Sequence, residues 1–120
     1  VNYFSREEWA CKGKDCCGGA DPLDSIHLSR LNQYRERIGI STKINSGFRC
    51  RTHNARVGGA KDSFHVRGLA TDIVTKGVKI AEMAKLLKEM DIFGGVIVYP
   101  TFIHVDSRDL VGGAKIFLWK

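Results

Sequence analysis

Apolar positions along the chain recur in two helical stretches and several short alternating ones. Leu23, Ile26, Leu31, Tyr34 and Ile38 follow helical spacing, and Asp21-Pro22 ahead of them reads as an N-cap followed by proline at the first helical position. This predicts a helix over 22–37, closed by Gly39. Ile80, Met83, Leu87 and Met90 share one face of a second predicted helix over 78–90, whose lysines and glutamates then face water. Strands are predicted over 43–46, 69–74, 95–99, 102–106 and 114–119, with one or two helical turns over 51–57. Pro100-Thr101 forms the expected turn of a hairpin between the third and fourth strands. Helices early and between, with antiparallel strands gathered late, describe an α+β fold: a small antiparallel sheet with helices on one face and the other face left for a site.

Composition narrows the class. The chain has 120 residues, 43% of them hydrophobic and 27% charged, a size and balance that suit one folded domain over 1–120 and exclude collagen-like, coiled-coil and disordered classes. No apolar run approaches the roughly 20 residues of a membrane helix. The first residues, from Val1 to Glu8, lack the basic-then-apolar order of a signal peptide. A net charge of +6 favours an anionic partner. The basic residues are scattered from Lys12 to Lys120 without a dense run or arginine–aromatic alternation, which argues against a dedicated nucleic-acid binder, and an anionic cell-wall polymer is an equally good fit to the charge.

Three of the four cysteines, Cys11, Cys16 and Cys17, lie close together, and Cys50 stands apart. This spacing does not provide the two clean C-x-x-C pairs of a structural zinc site. A disulfide from Cys16 or Cys17 to Cys50 would staple an N-terminal loop poor in apolar residues in an oxidising compartment, and reduced thiols are the alternative.

Chemistry concentrates later in the chain. Ser63-Phe64-His65-Val66-Arg67-Gly68-Leu69-Ala70-Thr71-Asp72 places a histidine and an aspartate on a loop entering a strand, and Phe102-Ile103-His104-Val105-Asp106 puts His104 and Asp106 on one strand face. Two histidines and a carboxylate, His65, Asp72 and His104, are the ligand types of a catalytic zinc with an open position, although isolated strand histidines are more often hydrogen-bonded residues without a metal. Cys50 has no histidine placed by the sequence to activate it as a nucleophile. His27 reads as a partly exposed helix residue, His53 as a neighbour of the cleft with no motif behind it, and Tyr99 and Trp119 as aromatic residues of either a groove wall or the core.

Three segments, S-G-F-R-C-R-T-H-N-A-R-V-G-G-A over 46–60, S-F-H-V-R-G-L-A-T-D-I over 63–73 and F-I-H-V-D-S-R over 102–108, resemble the zinc D-alanyl-D-alanine carboxypeptidase family of peptidoglycan peptidases. Its group also takes in phage L-alanyl-D-glutamate endopeptidases and the structurally similar Hedgehog signalling domain. The opening F-S-R-E-E-W-A-C-K over 4–12 is similar to the compact phage and bacterial branch. The resemblance implies Zn²⁺ on His65, Asp72 and His104, and Arg49 holding a substrate carboxylate or carbonyl, with Ser63 as a substrate donor or loop anchor. It also implies a cleft opposite the helices, a peptidoglycan peptide as substrate, a monomer, and action in the cell envelope, outside the cell, or at the wall after release by a phage. Many members carry an acidic residue or histidine two or three positions before the last ligand as general base. Here Thr101 and Phe102 stand there, so Asp106 becomes the expected replacement, as base or as support for a ligand. The expected reaction is hydrolysis at a D-alanyl-D-alanine-type bond. The alternatives are an L-alanyl-D-glutamate endopeptidase of the endolysin type and a non-catalytic zinc-containing wall-binding module.

Overall fold

The computed structural model describes residues 1–18 and 23–120. In chain order its elements are α1 (Arg6–Trp9), α2 (Ser25–Ile38), β1 (Thr42–Ser46), α3 (Arg51–Arg56), β2 (Ala70–Thr75), α4 (Ile80–Met90), β3 (Gly95–Val98), β4 (Ile103–Asp106), a 3-10 turn (Arg108–Val111) and β5 (Ile116–Trp119). Among the described residues no helix is long and apolar enough to cross a membrane.

The strands form one five-stranded sheet in the order β1-β2-β4-β3-β5. All neighbours are antiparallel except β3 and β5, which run parallel. The sheet is therefore mixed, a correction to the antiparallel expectation. Because β4 ends beside the start of β3, a short connector over 107–115 that steps past β3 delivers β5 in the direction of β3. The expected hairpin joins β3 to β4, with the Tyr99 N–H donating to the Phe102 carbonyl at 3.0 Å.

Helix α2 starts at Asp24, whose carboxylate accepts from the Ile26 and His27 N–H groups at 2.9 Å each, and ends at Gly39 in the left-handed region. The predicted Asp21-Pro22 start lies outside the described residues. On α4, Met83, Ala84 and Leu87 turn inward. They join Leu31 and Tyr34 of α2 and the core-facing strand residues Ile44, Ile73, Val96, Val98, Ile103 and Val105. Burying a side chain of this size fully contributes about 1.5–3 kcal/mol. Helix α1 escapes the periodicity argument because it is only four residues long and buries none of them.

The strand period divides β2 and β4 cleanly. Thr71, Ile73 and Thr75 face the helices, where Thr75 Oγ1 shares a 2.9 Å hydrogen bond with the Tyr34 hydroxyl. Asp72 and His104 point to the opposite face and are register partners across the β2–β4 ladder. The core thus holds rigid the two strands that present these side chains.

Candidate metal centre

His65 is the third member of this face and comes from the loop before β2. Successive turns set the loop: the His65 N–H donates to Ser63 Oγ at 3.2 Å, and the His65 carbonyl accepts the Arg49 N–H at 3.1 Å. Gly68, at φ +70°, then makes the left-handed turn into β2 that a side chain would strain. His65 is 3% exposed, and its Nδ1 donates to the Gly47 carbonyl at 2.7 Å, which directs the Nε2 lone pair into the site. Gly47 in turn sits under α1, where a Cβ would lie 2.5 Å from the Trp9 carbonyl oxygen and 2.6 Å from its Cα. The N-terminal segment therefore holds the backbone that orients His65.

The ligand atoms converge. Asp72 Oδ1 lies 3.3 Å from His65 Nε2 and 3.1 Å from His104 Nδ1, and the three groups offer atoms within 4.8 Å of one another. Zinc bonds of about 2.0–2.1 Å in tetrahedral geometry separate neighbouring ligand atoms by about 3.3 Å, so these residues fit the ion. Electrostatics agrees. Burial alone would push the Asp72 carboxyl up, but hydrogen bonds with His104 and His65 outweigh it and hold it well below the usual carboxylate range. Burial disfavours charge on His104 as well, yet Asp106 and Asp72 raise its pKa, so the pocket favours a positive charge between its carboxylates.

Asp106 shares its strand face with His104 but does not open to the cleft. It is fully buried, accepts from His104 Nε2 at 2.8 Å, and is gripped by Arg108 through Nε at 2.9 Å, Nη2 at 2.6 Å and the backbone N–H at 3.1 Å. Burial pushes this carboxyl up, and the Arg108 and His104 hydrogen bonds bring it well below its ordinary range. Gly95 opposite has no room for a Cβ, which would overlap Asp106 Oδ2. The carboxylate thus meets four protein donors, a geometry suited to orienting His104.

A cleft of about 480 Å³ opens over the three ligands, with Arg49, Ser63, Tyr99 and Arg108 among its lining residues. Arg49 Nη1 donates to Asn54 Oδ1 at 3.0 Å, and its Nη2 lies 3.9 Å from Asp72 Oδ2. Its Nε is buried without a hydrogen-bond partner among the described residues. Asn54 is fixed from its other end, its Nδ2 donating to the Ala60 carbonyl at 2.8 Å, and Gly59 packs so closely that a Cβ would lie 2.7 Å from Arg49 Nη1. The Gly58-Gly59-Ala60 turn and Asn54 thus form the bracket that aims Arg49. Ser63 lines the cleft while its Oγ is already the acceptor for His65.

Other positions depart from the sequence reading. His27 is fully buried rather than partly exposed, between Ser107 Oγ at 2.7 Å and Thr71 Oγ1 at 3.1 Å, while Ile26 takes the exposed position. The inward face of α2 therefore runs through His27, Leu31 and Tyr34, with Leu23 buried just ahead of the helix, and a polar residue at an i+4 position is the available signal. Tyr99 walls the cleft and stacks on Phe102 at 4.6 Å, whereas Trp119 is exposed on β5. His53 does not line this cleft; it packs beside Gly13 and Cys50. Arg108, present in the third motif but given no role by it, proves to clamp Asp106 and to line the cleft.

A search among curated proteins finds no match. The family model described as Peptidase M15 matches residues 2–106, a span that contains all three converging ligands and Arg49. With that match over most of its length, and with a two-histidine, one-aspartate centre beneath an open cleft, the chain belongs to the Peptidase M15 family of zinc-dependent peptidases.

Proposed function

We propose that this zinc peptidase hydrolyses peptidoglycan stem or cross-link peptides, at a D-alanyl-D-alanine-type bond. The observation that carries this reading is the pairing of a His65–Asp72–His104 centre with a bracketed arginine in the same cleft. A fork-shaped cation at fixed distance from the reacting centre suits a substrate with a carboxylate close to the scissile bond, as at the end of a stem peptide. The net charge of +6 favours approach to an anionic wall.

His65, Asp72 and His104 would hold the zinc, with the Gly47 carbonyl and Asp106 fixing the tautomers of the two imidazoles. When bound, zinc supplies Lewis acidity that lowers the pKa of water toward about 7 and polarises the peptide carbonyl. Arg49 binds the substrate carboxylate or carbonyl and sets its distance from the ligands. Tyr99 and Phe102 form an apolar wall against the peptide. Asp106 holds His104 and takes no proton from water; the proton-transfer group then belongs to the cleft lining, where Asp62 and Tyr99 carry suitable atoms. The site of action is the bacterial wall, reached from the envelope or by phage release.

A panel of synthetic stem peptides tests the assignment. Peptides ending in D-alanyl-D-alanine are expected to lose the terminal residue with zinc present, and peptides ending in L-alanyl-L-alanine to remain intact. Cleavage confined to an L-alanyl-D-glutamate bond would move the chain to the endopeptidase reading, and no cleavage of any member would favour the wall-binding module.

A further inference from the structure

The sequence spacing argues against a cysteine metal site and leaves a Cys16 or Cys17 disulfide to Cys50 and reduced thiols as alternatives; the structure places all four thiols together as free cysteines. Residues far apart in sequence close the gap that spacing left open: Cys50, at the N-cap of α3, comes to lie against the loop that carries the other three. Cys11 Sγ stands 3.9 Å from both Cys16 Sγ and Cys50 Sγ, and Cys16 Sγ stands 3.9 Å from Cys17 Sγ. All four sulfur atoms fall within 4.8 Å of one another.

Those separations distinguish the possibilities. A disulfide brings sulfurs to about 2.05 Å. Four thiolates around one zinc at about 2.3 Å, at tetrahedral angles, stand about 3.8 Å apart. The cluster matches the second arrangement. Cys50 is also oriented as a ligand, its Sγ accepting the His53 N–H at 3.4 Å.

The surrounding chain gives this site a task. Between Ala10 and Gly18 the only buried side chain is Cys11, so no apolar packing holds the loop in place. Yet the loop is held closely. A Cβ on Gly13 would lie 2.7 Å from Cys16 Sγ and 2.8 Å from His53 Cβ, Asp15 adopts a left-handed φ of 53°, and the Lys14 carbonyl accepts Arg56 Nη1 at 2.7 Å. Weak thiol contacts alone are poor reasons for such a conformation.

We propose that Cys11, Cys16, Cys17 and Cys50 bind a second zinc ion as a closed tetrathiolate site that fastens the N-terminal segment to the start of α3. Each ligating thiol releases its proton to solvent as the ion binds, and no oxidation occurs. With all four positions filled by protein, this ion has no place for substrate and acts structurally. Its position gives it influence over the peptidase centre: Cys50 directly follows Arg49, and the Phe48 N–H donates to the Trp9 carbonyl at 2.7 Å just before the cysteine loop.

The experiment counts metal in a chain whose first centre has been disabled. In the His65→Ala/His104→Ala variant, purified without chelator, elemental analysis is expected to find one zinc per chain, and a thiol-directed mercurial is expected to release it in step with sulfur modification. Replacement by cobalt in the same variant should give the intense absorption of a tetrahedral cobalt thiolate. Alkylation after denaturation should label all four cysteines. The Cys11→Ser/Cys50→Ser variant should lose that zinc; if it fails to fold, the count in the histidine variant decides alone. No zinc in the histidine variant, disulfides found by mass analysis, or iron in place of zinc would each overturn the assignment. An unaltered zinc count in an otherwise inactive protein would instead sink the proposed peptidase activity and leave this site standing.

Discussion

Asp106→Asn separates proton transfer from ligand orientation. Each carboxylate oxygen of Asp106 meets two donors, Oδ1 the backbone N–H and Nε of Arg108, and Oδ2 Nη2 of Arg108 and Nε2 of His104. Asparagine preserves the shape but replaces one acceptor oxygen with an amide nitrogen. If that nitrogen faces His104, the imidazole must shift its proton to Nδ1, the atom that faces Asp72, and loses it as a metal ligand. If it faces the other way, two Arg108 donors lose their acceptor around a fully buried side chain. At about 1–3 kcal/mol for each buried donor left unpaired, and with part of the arginine reaching water, the loss in folding stability is about 2–4 kcal/mol. Weakening a group that orients a metal-binding histidine typically lowers metal affinity about 10–100-fold. The assay is a zinc titration against a competing chelator, followed by kcat at saturating zinc. Weaker zinc binding is expected, with kcat restored by excess metal to within about tenfold of the unmodified protein, because loss of a general base costs about 10²–10⁴-fold. Wild-type zinc affinity together with a kcat lower by about 10²-fold or more would refute the reasoning and make Asp106 the base.

Arg49→Lys keeps the charge and loses the fork, so kcat/KM on a carboxylate-terminated peptide should fall about tenfold or more while zinc content holds; unchanged kinetics would reduce Arg49 to a partner of Asn54. Gly59→Ala pushes a methyl group into Asn54 Oδ1 and Arg49 Nη1, and should lower kcat/KM about tenfold or more without removing zinc, as judged by parallel kinetics and metal analysis. His27 predicts an acid-sensitive fold: burial lowers its pKa to about 3, below the roughly 6.5 of an unfolded chain, so its stabilisation is complete above the unfolded value and is lost as pH falls toward the folded one. Urea unfolding should show a loss of roughly 2–3 kcal/mol between pH 6 and pH 4 that His27→Gln largely removes, and identical pH profiles for the two proteins would discard the idea.

The convergence of the candidate ligands is legible in part because it follows strand period and residue type. His104 and Asp106 alternate on one strand, and His65 and Asp72 flank a glycine turn. Their approach, however, depends on the β2–β4 register that pairs Asp72 with His104, which no local pattern states. Asp106 illustrates the limit more sharply: period two places it on the face of His104, but its burial follows from Arg108 and from the missing side chain at Gly95 across the ladder. The direction of β5 was hidden for a similar reason, since four residues carry no mark of which strand they will join. The gathering of the four cysteines is not legible in their spacing, because spacing counts neighbours in sequence, whereas Cys50 reaches Cys11 through the packing of Trp9 on Gly47 and Phe48. The burial of His27 is not legible because an imidazole carries two polar atoms, and only Ser107, just after β4, and Thr71 of β2 make its burial tolerable.

Digestion of purified bacterial sacculi bears most directly on the proposed activity. The zinc-loaded protein, its metal-free form and the His65→Ala variant are each incubated with sacculi, and the soluble products are identified by mass analysis with the stereochemistry of every released residue. Release of D-alanine, or of peptides ending at a cleaved D-alanyl bond, is expected from the zinc-loaded protein alone. Intact sacculi after incubation with a protein shown to carry zinc on His65, Asp72 and His104 would contradict a peptidoglycan peptidase.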